Sequence, residues 1–156
     1  MPDMLVNLLK LPPLEPELAA LKNANIVVRR AQPYELTPIR SFVESNFSTS
    51  WADEILVGFA NSPVTVFIAT LDNEPVGFAA YECTRRDFFG PMGVVESRQR
   101  KGIGKGLLLA CLQGLKELGY VYGIIGGVGP MEFYEQTVGA VVIPGSEPGI
   151  YTDFLK

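Results

Sequence analysis

One stretch of the sequence, residues 96–119, reads ESRQRKGIGKGLLLACLQGLKELG. Four basic residues and three glycines fall within residues 98–106 of a chain whose net charge is −4. Leucine or cysteine then recurs at helical spacing, at positions 107, 108, 111, 112, 115 and 118, and Gly119 follows as a helix-ending signal. The stretch therefore predicts a basic, glycine-rich loop that leads directly into a long amphipathic helix.

The glycine spacing in this loop fits one phosphate-binding pattern better than two others. A P-loop needs a glycine at position 99, which is Gln, and a dinucleotide fingerprint needs one at position 107, which is Leu. The pattern Gln/Arg-x-x-Gly-x-Gly/Ala is met by Gln99, Gly102 and Gly104. Such glycines let the backbone approach a pyrophosphate, while the first amides of the helix and nearby basic side chains supply positive charge. A glycine-softened helix start with solvated basic residues is the alternative interpretation.

The sequence on either side of the loop predicts a mixed α/β domain. An N-terminal arm is expected over residues 1–24, packing on the core of a single domain over residues 25–156. Ser50 is the expected N-cap of the second helix of that domain. The predicted strands are 25–31, 64–71, 76–84, a glycine-bulged 88–95, 120–128 and two more within 140–155, and the other helices are 32–47, 51–60 and 129–139.

Composition excludes several classes of function. The chain has 156 residues, 47% of them apolar, and its acidic balance argues against a nucleic-acid partner. It has no histidine, which excludes Ser-His-Asp and Cys-His catalysis and any histidine-ligated metal; no metal site is predicted. Cys83 and Cys111 are expected as free buried thiols. There is no 18-residue apolar run and no signal-peptide layout, so no membrane partner and a cytoplasmic location are expected.

Residues 88–120, FFGPMGVVESRQRKGIGKGLLLACLQGLKELGY, resemble the central motif of the GNAT superfamily of N-acetyltransferases. Residues 129–140, GPMEFYEQTVGA, resemble the second motif of that family, and residues 25–43 resemble its opening strand and helix. The resemblance covers residues 25–154 and implies a mixed, mostly antiparallel central sheet with a bulged strand, flanked by about four helices. The family often has an Asn ahead of the second-motif helix, where this chain reads GGVGPM over residues 126–131.

The resemblance also implies a co-substrate, acetyl-coenzyme A, and a set of binding residues. In the family the loop holds the pyrophosphate of the coenzyme, and backbone amides of the bulged strand line the pantetheine arm. A Tyr of the second motif commonly places its hydroxyl near the coenzyme sulfur, which makes Tyr134 the candidate acid. The expected binding residues are Met92, Gly93, Val94, Gln99, Arg100, Lys101, Gly102, Ile103, Gly104 and Lys105.

The general base is less well defined by the sequence. Some family members carry a Glu on the bulged strand, but alignment by the glycines puts Phe88 at that position. Asp87 is adjacent, and a shift of one residue on a strand points a side chain to the other face. Glu82, on the preceding strand, is the candidate base. A water relay without a dedicated carboxylate is the alternative.

The implied activity is acetyl transfer from the thioester to a primary amine, of a small molecule, by direct attack in a ternary complex. Trp51, Asp53 and Glu54 form an aromatic-acidic patch that suits a cation, whereas Arg85 and Arg86 favour an anionic group. Two other functions remain open: a catalytically silent coenzyme A-binding sensor or interaction module, and an unrelated α/β domain that binds another phosphate. The apolar first ten residues and the C-terminal strands are compatible with a homodimer.

Overall fold

The computed structural model describes residues 1–99 and 102–156. Its strands are β1 (Met4–Asn7), β2 (Ile26–Arg30), β3 (Val66–Leu71), β4 (Glu74–Tyr81), β5 (Phe88–Val94), β6 (Tyr122–Ile125) and β7 (Val141–Val142). Its α-helices are α1 (Leu14–Asn23), α2 (Leu36–Asn46), α3 (Thr49–Ala60), α4 (Ile103–Glu117) and α5 (Met131–Val138). Short 3₁₀ turns cover Leu8–Lys10, Pro33–Glu35 and Glu96–Arg98.

The seven strands form one sheet in the order β2-β3-β4-β5-β6-β1-β7. Neighbouring strands run antiparallel, except that β5 and β6 run parallel. The pairing of β4 with β5 is irregular between Ala79 and Tyr81, where the bulge was expected. This confirms the predicted fold class, with five helices in the described residues instead of about four.

Two apolar cores lie on opposite faces of the sheet. On one face, α4 packs against the strands and is itself covered by α1, so that it is buried on most of its circumference. Leu107, Leu108, Leu112 and Leu115 are fully buried there, as their spacing predicts. Leu118 is 51% exposed, because α4 ends at Glu117 and the chain has already turned away. On the other face, α2 and α3 cover a second cluster.

The N-terminal residues contribute a strand to the interior of the sheet. Met4 of β1 pairs with Ile125 of β6 on one side and with Val142 of β7 on the other. The expectation of two final strands within 140–155 is wrong in part, since only Val141–Val142 is a strand. The place beside β6 is taken by β1, whose Met4 and Val6 are fully buried. The division of the chain at residue 24 into arm and domain stays a prediction.

Two local expectations are corrected by hydrogen bonds and backbone angles. The N-cap of α3 is Ser48, not Ser50, because the Trp51 amide donates to Ser48 Oγ at 3.1 Å. The predicted strands leave residues 72–75 for the turn between β3 and β4. The turn instead consists of Asp72 and Asn73 alone, both in the left-handed region with φ of 51° and 65°. Asp and Asn tolerate that region, so the turn closes early and the next two residues already lie in β4.

Other expectations are confirmed. Cys83 and Cys111 are free and buried, and Gly119, with φ of 103°, follows the end of α4. Within residues 1–99 and 102–156, no helix is both long enough and apolar enough to span a bilayer.

Candidate active site

The central feature of the site is the place where β5 and β6 part. The two strands pair only through Phe88 with Ile124 and Phe89 with Ile125. Beyond that point they diverge, and a cavity of about 570 Å³ opens between the end of β6 and the second half of β5. Gly90, Pro91 and Met92 of β5 line it, as does the 126–130 loop that connects β6 to α5.

Backbone amides of β5 point into this gap. The Val95 amide donates to the Val76 carbonyl of β4, and antiparallel pairing alternates such bonds along a strand. The alternation directs the Gly93 amide to β4 and leaves the amides of Met92 and Val94 on the side from which β6 has diverged. Gly93 has a packing role instead: a Cβ there would lie 2.5 Å from the Phe47 ring.

The N-terminus of α4 lies beside the same gap. Gly102 is its N-cap, with φ of 79°, and no side chain caps the helix. The first intrahelical bond runs from the Gly106 amide to the Gly102 carbonyl at 3.0 Å, so the amides of residues 103–105 precede it. A Cβ on Gly104 would lie 3.8 Å from Phe133 of α5 and 4.0 Å from Met92 of β5. The helix start, β5 and α5 therefore converge at Gly104, where unpaired amides and the helix dipole favour an anion.

Two of the polar side chains expected to bind the coenzyme have protein partners. Gln99 Nε2 donates to the Val94 carbonyl at 3.2 Å, which ties the loop to the end of β5. Lys105 Nζ lies 2.9 Å from Glu17 Oε1 of α1, so this ammonium bridges the two helices. Arg100 and Lys101 lie outside the described residues.

Tyr134 lies in α5 and faces the cavity. Its ring packs edge-on against Phe89, at a centroid distance of 6.2 Å, and against Phe133 at 5.0 Å. The side chain is 7% exposed, and its hydroxyl makes no hydrogen bond within the described part of the chain. Burial raises the pKa of Tyr134 to about 12. The hydroxyl is therefore a neutral hydrogen-bond donor that opens onto the cavity at physiological pH.

Comparison with known proteins identifies this arrangement. A family model described as the acetyltransferase (GNAT) domain matches residues 62–137, just under half of the chain. This chain carries a GNAT acetyltransferase domain. No curated protein matches the sequence.

Solved structures share the GNAT fold at low sequence identity. The GCN5-related glucosamine N-acetyltransferase region of a fungal multi-domain GH3 β-N-acetylglucosaminidase superposes with a TM-score of 0.73 at 16% identity, over 91% of this chain and 19% of that one. A GCN5-related N-acetyltransferase from Sphaerobacter thermophilus gives 0.68 at 17% identity, over 91% of this chain and 48% of that one. This chain thus spans about a fifth and about half of the two proteins.

A third structure is closer in length. The aminoglycoside acetyltransferase from an uncultured soil metagenomic sample, solved in complex with trehalose, gives a TM-score of 0.53 at 21% identity. The match covers 75% of this chain and 89% of that one. At these identities the three structures establish the fold, and the chemistry has to be argued from the residues of this GNAT domain.

The carboxylate expected as the base lies elsewhere in the GNAT domain. Glu82 has φ of 59°, and its Oε1 accepts a hydrogen bond from the Asp87 amide at 3.0 Å. Glu82 is not among the described residues that line the cavity. Burial, and secondarily the charge of Glu82, raises the pKa of Asp87 to about 6. The Glu82 carboxylate thus holds the β4–β5 connection through the Asp87 amide, whereas Asp87 Oδ1 is buried without a partner among the described residues.

The opposite wall of the GNAT cavity is formed by α3 and the β4–β5 connection. Trp51 and Glu54, three positions apart on α3, both line it. Thr84, which was not anticipated, donates its hydroxyl proton to Glu54 Oε1. The sequence signal for Trp51 and Glu54 was the i, i+3 spacing of an aromatic and an acidic residue beside a buried stripe of the helix. Nothing in the sequence pointed to Thr84.

The other charged residues considered for the acceptor, Asp53, Arg85 and Arg86, are not among the described residues that line the cavity. Asp53 Oδ1 lies 2.9 Å from Arg40 Nη2 of α2. Arg85 and Arg86 are exposed, and neither is among the described residues that line the cavity. Of the three patch residues, Trp51 and Glu54 are brought to the site.

The chain after β7 closes part of the cavity. Glu147, Pro148, Tyr151 and Phe154 line it, although this segment was expected to form strands. The Tyr151 hydroxyl lies close against Gly126, where a Cβ would be 2.6 Å from it. Glycine at position 126 therefore allows the tail to settle on the end of β6.

Proposed function

We propose that this chain is an acetyl-coenzyme A-dependent N-acetyltransferase that acts on the primary amine of a small molecule. One observation carries the proposal: a cavity at the parting of β5 and β6 adjoins the N-terminus of α4, whose N-cap is Gly102, and contains the Tyr134 hydroxyl, which forms no hydrogen bond with the described residues. The GNAT family assignment supplies the reaction class.

The coenzyme would bind along the line from α4 to Tyr134. Its pyrophosphate would accept hydrogen bonds from the amides of Ile103, Gly104 and Lys105, with the positive end of the helix dipole behind them. Its pantetheine arm would pass Gly104 and bond to the amides of Met92 and Val94. The thioester would then lie in the cavity, beside Tyr134.

Acetyl transfer forms one C–N bond and breaks one C–S bond. The amine nitrogen attacks the thioester carbonyl carbon and loses a proton to water, and the sulfur leaves with the bonding electron pair. An amine that arrives as an ammonium ion releases one further proton to solvent before attack. Because Glu82 is not among the described residues that line the cavity, a relay of water molecules would carry out these proton transfers.

Tyr134 would act as a hydrogen-bond donor to the sulfur. A phenol with a pKa of about 12 is a much weaker acid than a thiol with a pKa of about 8.5, so full proton transfer from Tyr134 to the thiolate is uphill. A hydrogen bond to the charge that develops on sulfur meets no such cost and strengthens as the bond breaks. We therefore assign Tyr134 to charge stabilisation, with solvent protonating the thiolate after release.

Gly104→Asp tests the coenzyme site without disturbing the helix. Position 104 has room for a Cβ, and an acidic residue in the first turn stabilises a helix. The variant should therefore keep or raise its melting temperature, while its carboxylate repels the pyrophosphate. We expect calorimetry to show micromolar acetyl-coenzyme A binding in the wild type, little change in Gly104→Ala, and a loss of at least about 100-fold in Gly104→Asp.

Two further readouts separate the alternatives. Competition by free coenzyme A distinguishes a coenzyme site from a generic phosphate loop. Release of free thiol in the presence of an amine panel distinguishes an enzyme from a silent coenzyme-binding module. Absence of acetyl-coenzyme A binding in the folded wild type would contradict the proposal.

A further inference from the structure

We propose that Glu54, positioned by Thr84, binds the ammonium group of a cationic amine whose apolar body lies against Trp51. The proposal rests on the proposed function for the fate of the bound amine, but the binding itself requires no coenzyme. Glu54 would thereby select the acceptor, and the acceptors selected would be cationic amines with an apolar body.

The charge of the cavity favours a cationic ligand. Among its described lining residues the charged side chains are Glu54 and Glu147, with no Lys or Arg. Glu147 pairs with the amino group of Met1 and is exposed, so its charge is already compensated at the rim. Glu54 is half-buried and forms no ion pair within residues 1–99 and 102–156. A bound cation would supply the missing counter-charge.

The geometry of the Glu54 carboxylate leaves one oxygen available to a ligand. The Thr84 hydroxyl donates to Oε1 and fixes the rotamer of Glu54. Oε2 accepts no hydrogen bond from the described residues, although a carboxylate oxygen has two acceptor sites. The fixed carboxylate therefore presents one oxygen to the cavity at no further entropic cost, and an ammonium group can donate to it.

The surface around the Glu54 carboxylate is largely aromatic. Five aromatic residues line the same cavity: Trp51, Phe89, Tyr134, Tyr151 and Phe154. Aromatic faces attract cations and cover apolar groups, so the body of the ligand gains by leaving water. Tyr151 and Cys83, the titratable groups that feel the charge of Glu54, have pKa values raised chiefly by burial. They are neutral at pH 7 and leave the negative charge in place.

These features predict a selective site. An arylalkylamine such as 2-phenylethylamine offers one ammonium and one apolar ring. 2-Phenylethanol has the same body without the charge, and phenylalanine adds a carboxylate that would face Glu54 across the cavity. We expect the amine to bind at least about ten-fold more tightly than either, because a charge-assisted hydrogen bond is lost in one case and repulsion is added in the other.

Trp51 provides the readout, because it is the only tryptophan in the chain. The three ligands would be titrated into coenzyme-free protein while Trp51 emission is followed, with calorimetry as a second measurement. In Glu54→Gln we expect at least about ten-fold weaker binding of 2-phenylethylamine and unchanged binding of 2-phenylethanol. Asp53→Asn removes the same charge one residue away, outside the cavity, and should bind like the wild type.

Several results would overturn the proposal: a Glu54→Gln variant that binds the amine as well as the wild type, equal losses in Glu54→Gln and Asp53→Asn, equal affinity for amine and alcohol, or no response of the wild type in either measurement. Glu54→Asp, which keeps the charge, should retain more affinity than Glu54→Gln if both remain folded. These titrations contain no coenzyme, so their results do not depend on whether the protein transfers acetyl groups. Failure of acetyl transfer would be detected separately, by the absence of free thiol in the amine-panel assay.

Discussion

Burial raises the pKa values of Tyr134 and Asp87 more than neighbouring charges do. Tyr134 has apolar neighbours on both sides of its ring, and desolvation alone accounts for its raised pKa. Asp87 is shifted in the same direction, first by burial and then by the charge of Glu82. In both groups the neutral, protonated form is favoured. For Tyr134 this extends the range over which its hydroxyl can donate a hydrogen bond.

Tyr134→Phe should lower kcat by about 10- to 100-fold at pH 7, the usual value of a hydrogen bond to a charged group. The hydroxyl keeps its proton until the pH approaches its raised pKa of about 12. The ratio of wild-type to variant kcat should therefore stay constant from pH 7 to pH 10. An ordinary tyrosine, with a pKa of about 10, would already lose half of that ratio at pH 10.

The pH series has a matched control in Tyr122→Phe. Tyr122 is 52% exposed on β6 and is not among the cavity-lining residues, so its change should leave kcat unaltered. A ratio for Tyr134→Phe that declines between pH 8 and pH 10 would contradict the assignment.

At the scale of secondary-structure elements, the start of α3 sets the position of the cavity wall that carries Trp51 and Glu54. Ser48 begins the helix, and its Oγ accepts from the Trp51 amide at 3.1 Å. The first turn therefore fixes the backbone of Trp51, whose ring packs on Phe47 and Phe78 at centroid distances of 5.8 and 6.0 Å. Glu54 lies one turn further on.

Ser48→Ala should lower the free energy of unfolding by about 1 kcal/mol, because the Trp51 amide loses its capping acceptor. Ser50→Ala, two residues later, should change it by no more than a few tenths of a kcal/mol, since Ser50 lies inside the first turn. Urea denaturation followed by Trp51 fluorescence measures both. A larger effect of Ser50→Ala than of Ser48→Ala would place the helix start where the sequence alone suggested it.

At the scale of the whole molecule, the N-terminal strand belongs to the core, because Met4 and Val6 of β1 are fully buried. Leu8 directly follows β1 and is fully buried, whereas Leu9 is 62% exposed. Leu8→Ala should lower the free energy of unfolding by about 2–5 kcal/mol, because it leaves a cavity beneath the sheet. Leu9→Ala should change it by at most about 0.5 kcal/mol. A melting curve of Leu8→Ala that matches that of Leu9→Ala would show that these residues pack loosely.

The sequence predicted the secondary-structure elements well where the apolar periodicity agreed with the glycines that end helices or interrupt strands. The spacing of Leu107 to Leu115 and the position of Gly119 gave α4, and the glycines of residues 88–95 gave the bulged strand. Strand order was beyond such reasoning, because β1 is joined to its neighbours only by pairing with distant residues. Periodicity identifies a strand but carries no information on its partners.

In the candidate site, the backbone parts carried a signal in the sequence, whereas the contacts between side chains did not. Its backbone parts followed from glycine spacing, since glycine marks close approach. The Glu54–Thr84 pair was not predictable, because two residues thirty positions apart meet only through the packing of α3 on the sheet. Glu82 as the base stays a prediction, and the sequence carried no sign of its left-handed backbone or of the hydrogen bond that its carboxylate accepts from the Asp87 amide.

The position of β1 inside the sheet also bears on how the protein is made. Residues 4–7 leave the ribosome well before their pairing partners, residues 122–125 and 141–142. During synthesis an apolar strand therefore waits unpaired while most of the chain is added, and its long loop must close before the sheet is complete. The nascent chain should bind chaperones through its first ten residues, and completion of the sheet should be the slow step of folding.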